Sequence, residues 1–198
     1  MSLTVFLVLN AFVLLIAAVV IMHRQMSPQH PLRQMLETEA QEREGRVYGG
    51  FYPHLEFMLM DLLVSVWISA RGKNTPEYVS IETTWITPQD VPFSVFPENA
   101  VTVAGKNFGI DDIEVHDPEF DAAYCVTGQD HRRIRELLDR DVQQFLLSLK
   151  DKSPKLEVDL KSFRLVIPSL PRADAELKEQ IDAAVGIITR LKEVMVNA

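Results

Sequence analysis

The stretch His54-Leu55-Glu56-Phe57-Met58-Leu59-Met60-Asp61-Leu62-Leu63-Val64-Ser65-Val66-Trp67-Ile68-Ser69 decides the class of fold. Leu62, Val64, Val66 and Ile68 alternate with Leu63, Ser65, Trp67 and Ser69. Successive side chains of a strand point to opposite faces, so 62–69 reads as a strand with one apolar face. Residues 54–59 read as the strand before it, joined by a tight turn at Met60-Asp61. The Gly, Asn and Pro content of 71–76 marks a loop, and 78–84 is the return strand. With 47–51 ahead of them, these segments predict an antiparallel meander.

Downstream, Pro88, Pro92 and Pro97 break the chain into short pieces. Residues 93–96 then suit an edge strand, because proline cannot donate to a ladder. A strand is expected at 122–127. Asp130 is a good N-cap for a helix starting at His131, and Asp139 for a second running to Leu149. Residues 156–160 and 163–167 read as a hairpin around Lys161-Ser162. A final helix over 173–196 repeats Leu177, Ile181, Ala184, Ile188, Leu191 and Met195 at spacings of four and three. That seam fits a helix laid on its own sheet, or pairing with a second copy as a homo-oligomer.

Upstream, residues 3–22 carry no charged side chain, and Thr4 and Asn10 are the clearly polar ones. Twenty such residues match a hydrocarbon core of roughly 30 Å, so a single-pass transmembrane helix is expected over 1–23. A cleaved signal peptide is disfavoured by the lack of a basic n-region and of a small-x-small site. Arg24 and Arg33 follow the segment with no side-chain cation before it. That places the domain on the cytoplasmic side of a bacterial inner membrane. Ser27-Pro28-Gln29-His30-Pro31 reads as a proline elbow, and 32–44 as a polar juxtamembrane helix acting as a spacer. The expected organisation is therefore a transmembrane helix at 1–23, a linker at 24–45 and one α+β domain at 46–198. Its mostly antiparallel sheet is covered by two or three helices.

The formal charge of −8 lies outside the apolar segment and disfavours nucleic acid as a partner. One cysteine, Cys125, excludes an internal disulfide framework. The acidic run Asp111, Asp112, Glu114, Asp117, Glu119 and Asp121 lacks the glycine and spacing of an EF-hand loop. Its simpler reading is that the carboxylates satisfy local backbone N–H groups while Phe108, Ile110, Ile113 and Phe120 anchor the loop. The histidines show no paired zinc spacing, and His116, Cys125 and His131 form a loose trio. Gly105-Lys106 lacks the rest of a P-loop, and no Gly-x-Ser-x-Gly or Gly-x-Gly-x-x-Gly occurs. Neither a cofactor, a metal nor a catalytic residue is expected, and the chain is read as a non-enzyme.

The pattern Phe108-Gly109-Ile110-Asp111-Asp112-Ile113, followed by Asp117-Pro118-Glu119-Phe120-Asp121 and the helix from His131, resembles an uncharacterised family of bacterial proteins. The resemblance implies an N-terminal membrane anchor and an α+β domain ending in a helix, with no activity attached. The functional expectation is an accessory or scaffold subunit of a larger bacterial membrane complex, such as a respiratory or photosynthetic one. Its partners would be other membrane protein subunits, met through the helix and the domain, and the lipid bilayer along 3–22. Partner-binding candidates are Asn10, Phe57, Leu59, Leu63, Phe108 and Phe120. A stand-alone anchored module for a ligand or peptide is the alternative. An enzyme of unrecognised class is a further one, with His116, Asp117 and His131 the place to look.

Overall fold

A computed structural model of the chain describes residues 12–19, 31–49, 53–69, 76–85, 91–98 and 112–196. Its elements are α1 (12–19), α2 (Pro31–Glu42), β1 (Arg46–Tyr48), β2 (His54–Leu59), β3 (Leu62–Ser69), β4 (Tyr78–Thr84) and β5 (Phe93–Pro97). They continue with α3 (Pro118–Ala123), β6 (Tyr124–Gly128), α4 (His131–Leu137), α5 (Arg140–Ser148), β7 (Lys155–Val158), β8 (Ser162–Ile167) and α6 (Asp174–Val196).

All eight strands join one sheet in the order β1-β2-β3-β4-β8-β7-β5-β6, each neighbouring pair antiparallel. The meander β1 to β4 follows chain order, and the β7–β8 hairpin is inserted between β4 and β5. Strand β5 is therefore flanked on both sides, which corrects the expected edge position. The prolines do not prevent this. Pro92 lies before the strand and Pro97 ends it, so Phe93 to Phe96 keep their N–H donors.

The helices cover one face. Val64, Val66, Val79, Ile81, Val95, Leu156, Leu165 and Ile167 are wholly buried beneath them. Across the core lies α6, whose seam of Leu177, Ile181, Ala184, Ile188 and Leu191 is also fully buried. That seam is buried in the chain's own core. Gly186 lets α5 come close, since a Cβ there would stand 2.4 Å from the Phe145 ring. Asp117, Asp130 and Asp139 each accept backbone N–H groups at a helix start, as capping aspartates do.

The linker reading of 32–44 needs correction. Helix α2 buries Met35, Leu36 and Ala40 in the core, and Glu39 is 1 % exposed. Arg43 meets Glu39 at 3.0 Å, pairs with Asp182 on α6 and lies over the Phe57 ring, while Glu42 pairs with Lys178. The domain thus begins at α2, before the first strand.

The expected transmembrane helix at 3–22 is also corrected. Among the described residues no helix is long and apolar enough to cross a membrane. Among the described residues, the single-pass description, the inner-membrane localisation and the bilayer as partner along 3–22 therefore have no spanning element to rest on. Residues 1–11 and 20–30, which hold Asn10 and most of the proline elbow, lie outside the described residues.

Candidate functional site

The face of the sheet away from the helices is open over β1 to β3 and closes at β4, where Ser80 is 1 % exposed, and cross-strand pairing arranges its side chains in three rows. Tyr48, His54, Trp67 and Ser80 form the first. Arg46, Glu56, Ser65 and Glu82 form the second, continued by Arg164 and Glu157 on β8 and β7. Met58 opposite Leu63 forms the third, with Met60 in the turn beyond.

The first row is aromatic. Tyr48 and His54 stack at 5.2 Å between ring centroids and 16° between planes, and His54 and Trp67 at 3.9 Å and 15°. Rings stacked face to face across neighbouring strands stand up from the sheet and present their edges to solvent. His54 Nε2 lies 3.4 Å from the Glu56 carboxylate. In the polar row, Arg164 meets Glu82 at 3.0 Å, and the Ser80 hydroxyl donates to Glu82 at 2.7 Å. Arg46 is exposed and has no carboxylate partner among the described residues. The third row is apolar and wet, with Met58 60 %, Met60 57 % and Leu63 49 % exposed. Solvated faces of antiparallel sheets are normally polar, so such a row calls for an explanation.

Of the residues expected to bind a partner, Leu63 lies on this face. Phe57 and Phe120 are 4 % and 0 % exposed and belong to the core, which corrects their assignment to a docking surface. Leu59 is partly buried against the core. Asn10 and Phe108 lie outside the described residues. Met58, Met60, Tyr48, His54 and Trp67 are not among the partner-binding candidates named from the sequence. A signal for Met58 was present, because a two-residue turn at Met60-Asp61 pairs Leu59 with Leu62 and so sets Met58 opposite Leu63.

Elsewhere the acidic loop does structural work. Asp121 accepts from Val115 N and His116 N at 2.9 and 3.1 Å, Asp117 from Glu119 N and Phe120 N, and Asp112 from Val126 N at 2.8 Å. One group of metal-type donors converges among the described residues, namely Glu98, Asp112 and Cys125 within 4.8 Å of one another. With Asp112 already bound to backbone, the set is short of the four ligands zinc ordinarily takes. A shallow groove of about 400 Å³ runs between α5 and α6 over Phe145, Ala175 and Ala183. Its rim charges Lys178, Glu179 and Asp182 are engaged by Glu42, Lys152 and Arg43. Buried Tyr124 donates to the Leu146 carbonyl at 2.6 Å, and burial, helped by Asp151, pushes its phenol well above the ordinary value.

No protein-family profile and no curated protein sequence matches the chain. Among solved structures, the chain is similar in fold to the crystal structure of the mycobacterial trehalose monomycolate transport factor A, TtfA. The match has a TM-score of 0.54 and 10 % sequence identity, and it covers 84 % of this chain and 97 % of that one. At that identity the likeness shows a shared α+β architecture.

Proposed function

We propose that this chain is a non-catalytic accessory or scaffold protein that acts by docking the open face of its sheet onto a protein surface in a larger bacterial assembly. The observation that carries this reading is the wet apolar row of Met58, Met60 and Leu63 beside the Tyr48–His54–Trp67 stack. Contiguous exposed apolar side chains rimmed by polar ones mark contact surfaces, and aromatic and methionine side chains are enriched in them. The likeness in fold to a protein titled a transport factor supports the non-catalytic side of the reading. So does the use of Asp112, Asp117 and Asp121 as acceptors of backbone N–H groups.

Site-specific photo-cross-linking in cells tests it. A photoreactive side chain at Met58 is expected to give protein adducts that a probe at Arg132, 89 % exposed on α4, does not give. Leu63→Lys should remove those adducts. Equal labelling from both positions would overturn the reading.

A further inference from the structure

The charge order of the polar row bears on which partner this face takes. Across β1 to β4 it runs Arg46, Glu56, Ser65, Glu82, positive at one end and negative at the other. A two-fold axis lying along the strands between β2 and β3 exchanges β1 with β4 and β2 with β3. Two copies packed face to face about that axis set Arg46 of each over Glu82 of the other, and Glu56 over Ser65. The same operation sets Met58 over Leu63 and His54 over Trp67, and brings Tyr48 above the buried Ser80. An axis across the strands would instead set Arg46 over Arg46 and Glu56 over Glu56, which like-charge repulsion opposes. Resting on the docking reading above, we propose that the partner on this face is a second copy of this chain, held by that isologous two-fold contact.

The charged and apolar pairings in this arrangement are chemically matched, and Arg46, which has no carboxylate partner among the described residues, gains one. The Glu82 carboxylate has room for two cations, since Arg164 contacts it from the β8 side, beyond the edge of the contact. From strand spacing and rise the footprint is roughly 19 by 17 Å, small beside the roughly 800 Å² that each partner buries in a standard interface. The contact is therefore weak and reversible, with an expected Kd of about 10 to 100 µM.

Sedimentation velocity of the full chain in mild detergent, from about 1 to about 300 µM, measures it. Arg46→Glu, Glu82→Lys and Leu63→Lys are each expected to weaken self-association at least about tenfold. In an equimolar mixture of Arg46→Glu and Glu82→Lys, both cross contacts again join opposite charges. Association there should return to within about threefold of wild type. Circular-dichroism melts matching wild type show that the variants are folded, as expected at the exposed Arg46 and Leu63 and required of Glu82, which is half-buried beside Arg164. A monomer at every concentration overturns the proposal. So does self-association that ignores the three substitutions, or a mixture that fails to recover. Photo-adducts from Met58 to a different protein, with the chain itself monomeric, would sink the self-pairing while leaving the docking reading intact.

Discussion

Gln180 lies on the buried stripe of α6, is wholly excluded from solvent, and has no hydrogen-bond partner among the described residues for either Nε2 or Oε1. An amide taken out of water without compensation costs about 1–3 kcal/mol on mutational scales. Methionine is also unbranched and of similar length, so Gln180→Met removes the polar atoms while opening little cavity and adding little bulk. The substitution should stabilise the fold by about 1–3 kcal/mol. For a chain of this size that raises Tm by about 2–12 °C. Urea unfolding followed by circular dichroism, with the slope m unchanged from wild type, measures the free energy, and calorimetry the Tm. Gln180→Ala serves as a control, because the cavity it opens offsets the gain. If Gln180→Met is neutral or destabilising at constant m, the amide is satisfied in solution and the reasoning fails.

Two further outcomes follow from buried groups. Arg43→Met strands the Glu39 carboxylate, which is 1 % exposed and lies 3.0 Å from the guanidinium, and should cost about 3–5 kcal/mol in urea unfolding. Replacing Glu39 by Met as well should recover most of that loss. The Tyr124 phenol is raised above its ordinary value of 10 by burial first and Asp151 second, so the folded chain keeps a proton that the unfolded chain releases. Its stabilisation is therefore full below pH 10 and is lost as pH rises above it, by up to about 1.4 kcal/mol per pH unit. Tyr124→Phe should flatten that alkaline decline in urea titrations across the same range. The Leu146 carbonyl keeps the Leu149 N–H at 3.0 Å in that variant, so the cost at neutral pH should stay near 1 kcal/mol.

Local chemistry made much of the fold legible. Strands β2, β3 and β4 have the bounds that period-two alternation and the Met60-Asp61 turn predict, because side-chain direction in a strand depends only on residue parity. Asp130 and Asp139 begin helices where a short carboxylate can reach the free N–H groups of a first turn. The α6 seam declares itself by spacing alone. Residues 122 and 123, expected to open a strand, instead end a short helix over Pro118–Ala123. Pro118 at its start and the Asp117 cap offset its small length.

Local chemistry could not decide how the segments share space. Residues 32–44 are polar on average, and only docking against α6 shows that Leu36 is core and that Glu39 has Arg43 for company. Strand β5 looks like an edge until the β7–β8 hairpin enters beside it, a long-range pairing that no nearby residue encodes. Phe57 and Leu63 are alike in hydrophobicity but lie on opposite faces, because register puts Phe57 opposite Val64 and Met58 opposite Leu63. By itself, then, the sequence determined the strand and helix segments, their caps and their apolar stripes, which depend on the period and on a few neighbouring backbone groups. Only the tertiary structure decided strand order, the burial of α2, and which apolar residues are left facing water, since those depend on which surfaces meet at long range.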